Sequence, residues 1–227
     1  MSSIEKLFTP NRFQSLISGS EERISFLQAT EGTLIEKQPP HEIALFPGSF
    51  NPLHIGHQEM AHVAAKRLEC PVWFEMSISN VDKATLNYGD VVQRLKQFEK
   101  ERYLATAQGL GHATTPLCPG VVLTSAPTFE EKSKLFPDCV FIVGADTITR
   151  INDLRFYRDA NHRADVIQSF AEGFATRQPK RFLVFGRWRE DVFELDQVEL
   201  APELRAQCDF VSRQEFEQRI SSTELRD

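Results

Sequence analysis

The sequence lacks several features that mark common classes of protein. Its four cysteines form no Cys-x-x-Cys pair, which argues against a zinc site or a redox motif and fits a reducing compartment. No apolar run approaches the roughly 18 residues that a membrane-spanning helix needs. The start of the chain, Met1 to Phe8, has neither the basic residues nor the apolar stretch of a secretory signal. We therefore expect a cytoplasmic chain with no membrane partner.

Runs of basic residues are also missing. The chain has 26 Lys and Arg against 32 Asp and Glu, a formal net charge of -6, so a nucleic-acid partner is not expected. This balance does not argue against a polyphosphate ligand, because a helix N-terminus and a few donors can bind one. With 227 residues, of which 41% are hydrophobic and 26% charged, the composition is typical of a globular chain with a sizeable core.

Short apolar runs alternate with longer amphipathic stretches from Ile43 onward. The apolar runs predict strands at 43–46, 72–78, 121–123, 140–143, 182–185 and 208–211. The amphipathic stretches predict helices at 54–69, 90–108, 128–136 and 166–177. This alternation indicates βαβ units, and the expected fold class is α/β, with a Rossmann-like doubly wound parallel sheet. Ligands of such sheets bind at the carboxyl ends of the strands.

The first 40 residues differ from the rest of the chain. Phe13, Leu16 and Ile17 have helical spacing, and residues 24–28 have it in part. The Gln-Pro-Pro sequence at 38–40 is a helix stop and a stiff linker. We therefore predict two units along the chain, a helical N-terminal extension at 1–40 and a main domain at 41–227.

One segment, 46–57, combines a glycine loop, a helix start and two histidines in the sequence Phe-Pro-Gly-Ser-Phe-Asn-Pro-Leu-His-Ile-Gly-His. Gly48 follows a predicted strand and lets a ligand approach the backbone closely. A helix is predicted to begin near His54, and its N–H groups and positive dipole end favour an anion. His54 and His57 are three positions apart and share one helix face, and Gly56 between them leaves room for a ligand. These residues predict a polyphosphate site, which is not a Walker loop because no Gly-Lys-Ser/Thr follows.

The same segment resembles the His-x-Gly-His signature of the nucleotidyltransferase superfamily, which is preceded by Gly-Ser/Thr-Phe-x-Pro. The resemblance implies that His54 and His57 are catalytic residues that hold a triphosphate and meet the charge that develops on it. The nucleotide-binding residues that it implies in this segment are Gly48, Ser49, Phe50 and Gly56.

The end of the sequence carries a second resemblance. Residues 220–226 read Ile-Ser-Ser-Thr-Glu-Leu-Arg and are similar to the superfamily's second signature, Ile-Ser-Ser-Thr-x-Ile-Arg. Taken alone, the Ser-x-x-Glu spacing would indicate a helix capping box. The resemblance implies that Ser222 and Thr223 bind phosphate oxygens and that Arg226 is a catalytic residue with a fork of phosphate donors.

A third resemblance follows the predicted strand that ends at Val143. Gly144-Ala145-Asp146 could be a turn with a helix-capping Asp, but it resembles the Gly-x-Asp of nicotinamide mononucleotide adenylyltransferases. That resemblance implies that Gly144 and Asp146 bind the nucleotide, with the carboxylate on a ribose hydroxyl. In those enzymes a Trp thirteen positions after the Gly stacks on the nicotinamide ring. Here that position holds Tyr157, a departure that keeps an aromatic face for the acceptor.

Two further strand ends carry weaker signals. Lys83 resembles the family's lysine that meets the acceptor phosphate or the triphosphate, although a solvated loop lysine would look the same. Gly186 and Arg187 end another predicted strand and would line the adenine end of the nucleotide. The segments 126–129 and 134–137 resemble a subgroup of cytidylyltransferase-like proteins.

Together the resemblances imply a nucleotidyltransferase that transfers AMP from ATP to a small phosphorylated acceptor, with pyrophosphate release. Mg²⁺ would enter with ATP, and no side chain is predicted as a metal ligand. Nicotinamide or nicotinic acid mononucleotide is the favoured acceptor. A cytidylyltransferase or a phosphopantetheine-type adenylyltransferase would share the His-x-Gly-His chemistry, and a nucleotide hydrolase or a non-catalytic nucleotide sensor also stays open. The sequence is compatible with a homo-oligomer and does not fix the oligomeric state.

Overall fold

A mixed sheet with helices on both faces forms the centre of the chain. The computed structural model describes residues 3–28, 33–81, 84–100, 120–172, 180–186, 188–189, 192–193, 195 and 198–216. The strands of the sheet are β1 (Arg23–Gln28), β2 (Leu34–Glu36), β3 (Ala44–Pro47), β4 (Val72–Ser77), β5 (Gly120–Thr124), β6 (Val140–Gly144), β7 (Phe182–Phe185) and β10 (Cys208–Phe210). A separate ribbon pairs β8 (Trp188–Arg189) with β9 (Val192–Phe193).

Helices connect these strands and cover the sheet. They are α1 (Ser3–Leu7), α2 (Pro10–Ser18), α3 (Ile55–Leu68), α4 (Tyr88–Lys100), α5 (Phe129–Leu135), α6 (Ala145–Asn152), α7 (Ala160–Ser169) and α8 (Pro202–Arg205). One face packs residues of α1 to α4 against the strands, and the opposite face packs residues of α6 to α8. None of the helices in the described part of the chain is both long enough and apolar enough to cross a membrane.

The order of the strands is β10-β7-β6-β3-β4-β5-β1-β2. The six strands from β10 to β5 pair in parallel. Along the chain, β3 to β5 extend the sheet in one direction, and β6, β7 and β10 extend it in the other. This is the doubly wound order of Rossmann-like folds, so the predicted fold class is confirmed. The point at which the order reverses lies between β3 and β6.

The N-terminal extension is helical in its first part, as predicted, but forms strands in its second part. The predicted helical spacing of Phe13 and Leu16 is confirmed by α2, in which both side chains are buried. The helical interpretation of residues 24–28 is wrong, because they form β1, which pairs antiparallel to β5. Their side chains alternate as in a strand, since Ile24 and Phe26 face one side of the sheet and Leu27 packs on the other. The division into two domains at residue 40 stays a prediction, although β1 and β2 belong to the same sheet as the main strands.

The later helices differ from the prediction in their bounds. The predicted helix at 166–177 is α7, which begins earlier, at Ala160, because the Asp159 side chain accepts a hydrogen bond from the His162 N–H at 2.8 Å and caps it. It ends at Ser169. The predicted end of α4 at residue 108 lies outside the described residues.

Candidate active site

The carboxyl ends of β3 and β6 lie side by side at the reversal point of the sheet. These strands are parallel neighbours, with Ala44 opposite Val140 and Leu45 opposite Phe141. The loop after β3 and the turn after β6 therefore leave the sheet at the same edge, where doubly wound folds bind ligands. Gly144 lies opposite Phe185 of β7, so Gly186 belongs to this edge as well.

The loop after β3 is closely packed. Phe50 has a φ of 43°, a left-handed conformation that costs a non-glycine residue about 1–3 kcal/mol. Its ring is buried and packs edge-on to the rings of Phe46, at 5.8 Å, and Phe74, at 5.1 Å. A Cβ atom at Gly48 would lie 2.6 Å from the Phe50 ring, so glycine is required there. The Gly48 N–H donates to the Glu75 carbonyl oxygen at 2.9 Å and ties the loop to β4.

The two histidines stand at the start of α3. His54 is the N-cap residue, with extended backbone, and His57 lies in the first turn. Their rings stack with centroids 3.7 Å apart. The His54 N–H donates to Nδ1 of His57 at 3.3 Å. A neutral His57 therefore carries its proton on Nε2, which leaves that nitrogen as a donor. Gly56, between the histidines, is buried.

The surroundings of the two imidazoles favour their neutral forms. Burial lowers the pKa of His54 below its usual value. Burial, and then the proximity of His54, lower the pKa of His57 to about 3. Two stacked rings resist protonation because each positive charge would lose solvent and repel the other. A polyphosphate beside them would oppose both effects, so the pair is suited to donate hydrogen bonds to an anion at the positive end of α3.

The turn after β6 presents a carboxylate at the same edge. Gly144 is the N-cap of α6, and Asp146 lies exposed in the first turn of that helix. A Cβ atom at Gly144 would lie 2.7 Å from Oδ1 of Asp146, so the glycine lets the carboxylate fold back over the end of the strand. An exposed carboxylate in this position can accept hydrogen bonds from hydroxyl groups of a ligand.

Tyr157 follows α6 in the chain and is hydrogen-bonded to the end of that helix. Its hydroxyl donates to the Ile151 carbonyl oxygen at 2.6 Å, and its ring lies 5.9 Å from that of His162 in an edge-on geometry. Burial raises the pKa of the Tyr157 hydroxyl to about 12. The hydroxyl is already bonded within the protein, so the half-buried ring is the part of this side chain that could contact a ligand.

A family model described as cytidylyltransferase-like matches residues 45–227. The chain belongs to the cytidylyltransferase-like family. This family is of the nucleotidyltransferase type, which confirms the prediction of a nucleotidyltransferase-type activity. No curated protein matches the chain.

The matched range includes predicted site residues that the structure does not describe. The predicted site residues outside the described part are Lys83, Arg187, Ser222, Thr223 and Arg226. Gly186 is described and is buried at the end of β7. Phe216, the last described residue, packs edge-on to Phe185 with ring centroids 5.1 Å apart. The chain is therefore fixed near the carboxyl end of β7 four residues before the second signature begins at Ile220.

A buried polar cluster beside the loop was missed by the sequence analysis of this cytidylyltransferase-like chain. Glu75 is 1% exposed and Lys132 is 4% exposed. Lys132 Nζ donates to Glu75 Oε1 at 2.8 Å and to the Ala126 carbonyl oxygen at 2.6 Å. The Thr124 hydroxyl donates to the same Glu75 oxygen at 2.6 Å. A glutamate inside the apolar run of β4 was the only sign of this cluster in the sequence.

Proposed function

We propose that this chain transfers AMP from ATP to nicotinamide mononucleotide or its acid form and releases pyrophosphate. The observation that carries the proposal is the stacked pair of His54 and His57, next to the strand end that presents Asp146. An anion-binding helix start and a carboxylate at one sheet edge suit a nucleotide, whose phosphates and ribose need opposite kinds of partner.

The reaction is an in-line attack of an acceptor phosphate oxygen on the α-phosphorus of ATP. The bond from the α-phosphorus to the oxygen that bridges to the β-phosphate breaks, and pyrophosphate leaves. The acceptor phosphate is already ionised at neutral pH, so the step needs no strong general base. Catalysis then depends on positioning and on hydrogen bonds to the developing charge. His54 and His57 supply such donors at the start of α3.

The remaining proposed roles follow the two ends of the nucleotide. Asp146 accepts hydrogen bonds from a ribose, and Tyr157 covers the ring of the acceptor. The phosphate and adenine contacts are assigned to Lys83, Arg187, Ser222, Thr223 and Arg226. Mg²⁺ would neutralise charge on the phosphates. Its ligands are assigned mainly to phosphate oxygens, because Mg²⁺ that enters with a nucleotide usually keeps several waters and takes few protein ligands.

A cytidylyltransferase is the second candidate, and the description of the matching family favours it. The test is a panel of ATP and CTP against nicotinamide mononucleotide, its acid form, phosphopantetheine and phospho-alcohols, with pyrophosphate release as the readout. Release that requires ATP and either mononucleotide supports the proposal. Release that requires CTP and a phospho-alcohol replaces it with the second candidate. Release without an acceptor indicates hydrolysis, and no release with any pair indicates a nucleotide sensor.

Tyr157 should affect the acceptor and not the donor. A flat cationic ring on an aromatic face gains about 0.5–2 kcal/mol, so Tyr157→Ala should raise the acceptor KM several-fold and leave the ATP KM nearly unchanged. Tyr157→Trp should be tolerated or should lower the acceptor KM. Tyr157→Phe is the control, because it removes the hydrogen bond to Ile151 and keeps the ring. Equal effects of Ala and Phe on the acceptor KM would assign Tyr157 a purely structural part.

Arg226 should bind the polyphosphate. Hydrogen bonds to charged groups contribute about 1.5–3 kcal/mol each, so Arg226→Ala, or removal of residues 222–227, should weaken ATP binding at least tenfold in calorimetry. The melting temperature without ligand should change little, because the contacts that these changes are expected to remove are contacts to the ligand. Arg219→Ala is the matched control, since it removes an arginine that lies outside the signature. Wild-type ATP affinity in the truncated chain would refute this role.

A further inference from the structure

Two side chains of α4 hold the loop that precedes the histidine pair. Gln97 Nε2 donates to the Phe50 carbonyl oxygen at 3.0 Å, and Gln97 Oε1 accepts from the Leu53 N–H at 2.8 Å. Arg94 Nη1 donates to the Ser49 carbonyl oxygen at 2.9 Å. One helix thus bonds to three of the five residues from Ser49 to Leu53, and the carboxamide of Gln97 bridges both sides of the loop.

We propose that Gln97, assisted by Arg94, is a positioning residue for the histidine pair. The left-handed backbone of Phe50 requires support from its surroundings to persist. The bond from Gln97 holds its carbonyl group, and the bond to Leu53 fixes the residue directly before His54. We call Arg94 and Gln97 of α4, which make these contacts, the clamp.

The clamp reaches the histidines through the Phe50 ring. That ring lies 5.2 Å from the His57 ring and 5.9 Å from Phe98 of α4, both in edge-on geometry. A shift of Phe50 would therefore move the packing surface of His57 as well as the loop. Because catalysis of phosphoryl-type transfer depends on geometry, small displacements here should lower turnover.

The N-terminal extension supports the opposite side of α4. The Ile4 N–H donates to Oε1 of Glu99 at 2.9 Å, and Lys96 forms an ion pair with Glu5 at 2.7 Å. The Tyr88 hydroxyl donates to the Phe8 carbonyl oxygen at 2.8 Å. The inference thus gives the extension a role: it braces the helix whose side chains clamp the loop.

The test compares Gln97→Met with Gln93→Met, a matched control at an exposed position of the same helix. Gln97→Met keeps length and helix propensity but removes both hydrogen bonds to the loop. We expect amide hydrogen exchange in the segment 49–57 to be at least tenfold faster, and kcat at least tenfold lower with an unchanged acceptor KM, whereas Gln93→Met behaves as wild type. Wild-type exchange or wild-type kcat in folded Gln97→Met would overturn the proposal.

Gln97→Glu separates positioning from general packing. An ionised carboxylate accepts from the Leu53 N–H but cannot donate to the Phe50 carbonyl, whereas a protonated carboxyl can do both. The ratio of the variant's kcat to that of wild type should therefore rise as the pH falls from 8 towards about 5, near the usual pKa of glutamate. A ratio that stays constant over this range would contradict the bridging role.

The clamp rests on the proposed function only for its kinetic readout. If the wild-type protein shows no transfer with any pair of substrates, the proposed function fails, and pyrophosphate binding measured by calorimetry takes the place of kcat. Gln97→Met should then bind pyrophosphate at least tenfold more weakly than Gln93→Met, together with faster exchange. Equal pyrophosphate affinity of the two variants would overturn the clamp by itself.

Discussion

Replacing Lys132 by methionine should lower the free energy of unfolding by about 3–5 kcal/mol, because it leaves the Glu75 carboxylate buried without its cation. Glu75 is 1% exposed and accepts hydrogen bonds from both Lys132 and Thr124. Methionine fills the volume of the lysine stem, so the loss measures the missing charge and hydrogen bonds rather than a cavity. Urea denaturation followed by fluorescence or circular dichroism gives the value directly.

Two further variants separate the buried pair from lysine substitution in general. Lys134 lies on the same helix and pairs with Glu130 at 2.7 Å, but its side chain is 69% exposed, so Lys134→Met should cost less than about 1 kcal/mol. In the double variant Glu75→Gln/Lys132→Met the unpaired charge is removed, and much of the lost stability should return. If Lys132→Met were no more destabilising than Lys134→Met, the pair would not stabilise the fold in this way.

The buried pair also shapes the candidate site. The Glu75 carbonyl group accepts the Gly48 N–H of the loop, while its side chain reaches Thr124 at the end of β5. Lys132 extends the link to the Ala126 carbonyl, in the segment after β5. The cluster therefore lies near the carboxyl ends of the neighbouring strands β4 and β5, next to the loop that leads to the histidines.

Most strands of the main domain could be predicted from the sequence because they are fully buried. Runs such as Phe182–Phe185 are apolar on both faces, which is the expected pattern for a central parallel strand. The doubly wound order followed from the alternation of such runs with amphipathic helices. The glycine loop and the two histidines were identified as a unit because they are contiguous in the chain.

Other parts depend on contacts between distant residues and had no local signal. Gln97 bonds to Leu53 across 44 positions of the chain, and an isolated glutamine on an amphipathic helix predicts nothing of that kind. The strand β1 was interpreted as helix because Ile24 and Leu27 are also three positions apart, and pairing with β5 decided the outcome. The roles of the site residues stay predictions that only measurements of binding and turnover can test.

Replacing His57 should lower kcat by about 10² or more, the usual effect of removing one hydrogen-bond donor to the charge that develops in a transition state. The geometry allows a sharper test than alanine alone. In His57→Asn the side-chain oxygen can take the place of Nδ1 and accept from the His54 N–H, but no group replaces the Nε2 donor. Both His57→Ala and His57→Asn should therefore lose activity, whereas His57→Asn should retain more of the stability.

His62→Ala is the matched control for these variants, since it removes a histidine from the same helix outside the signature. A second measurement, the pH dependence of the free energy of unfolding, tests His57 without an activity assay. Its pKa is about 3 in the folded chain and about 6.5 when unfolded, so the unfolded chain binds more protons between these values. The stability that the neutral ring contributes is complete above pH 6.5 and is lost as the pH falls towards 3, and His57→Asn should flatten this slope. Wild-type turnover in folded His57→Asn would remove the Nε2 donor from the mechanism, and an unchanged slope would mean that the ring is not held neutral by burial.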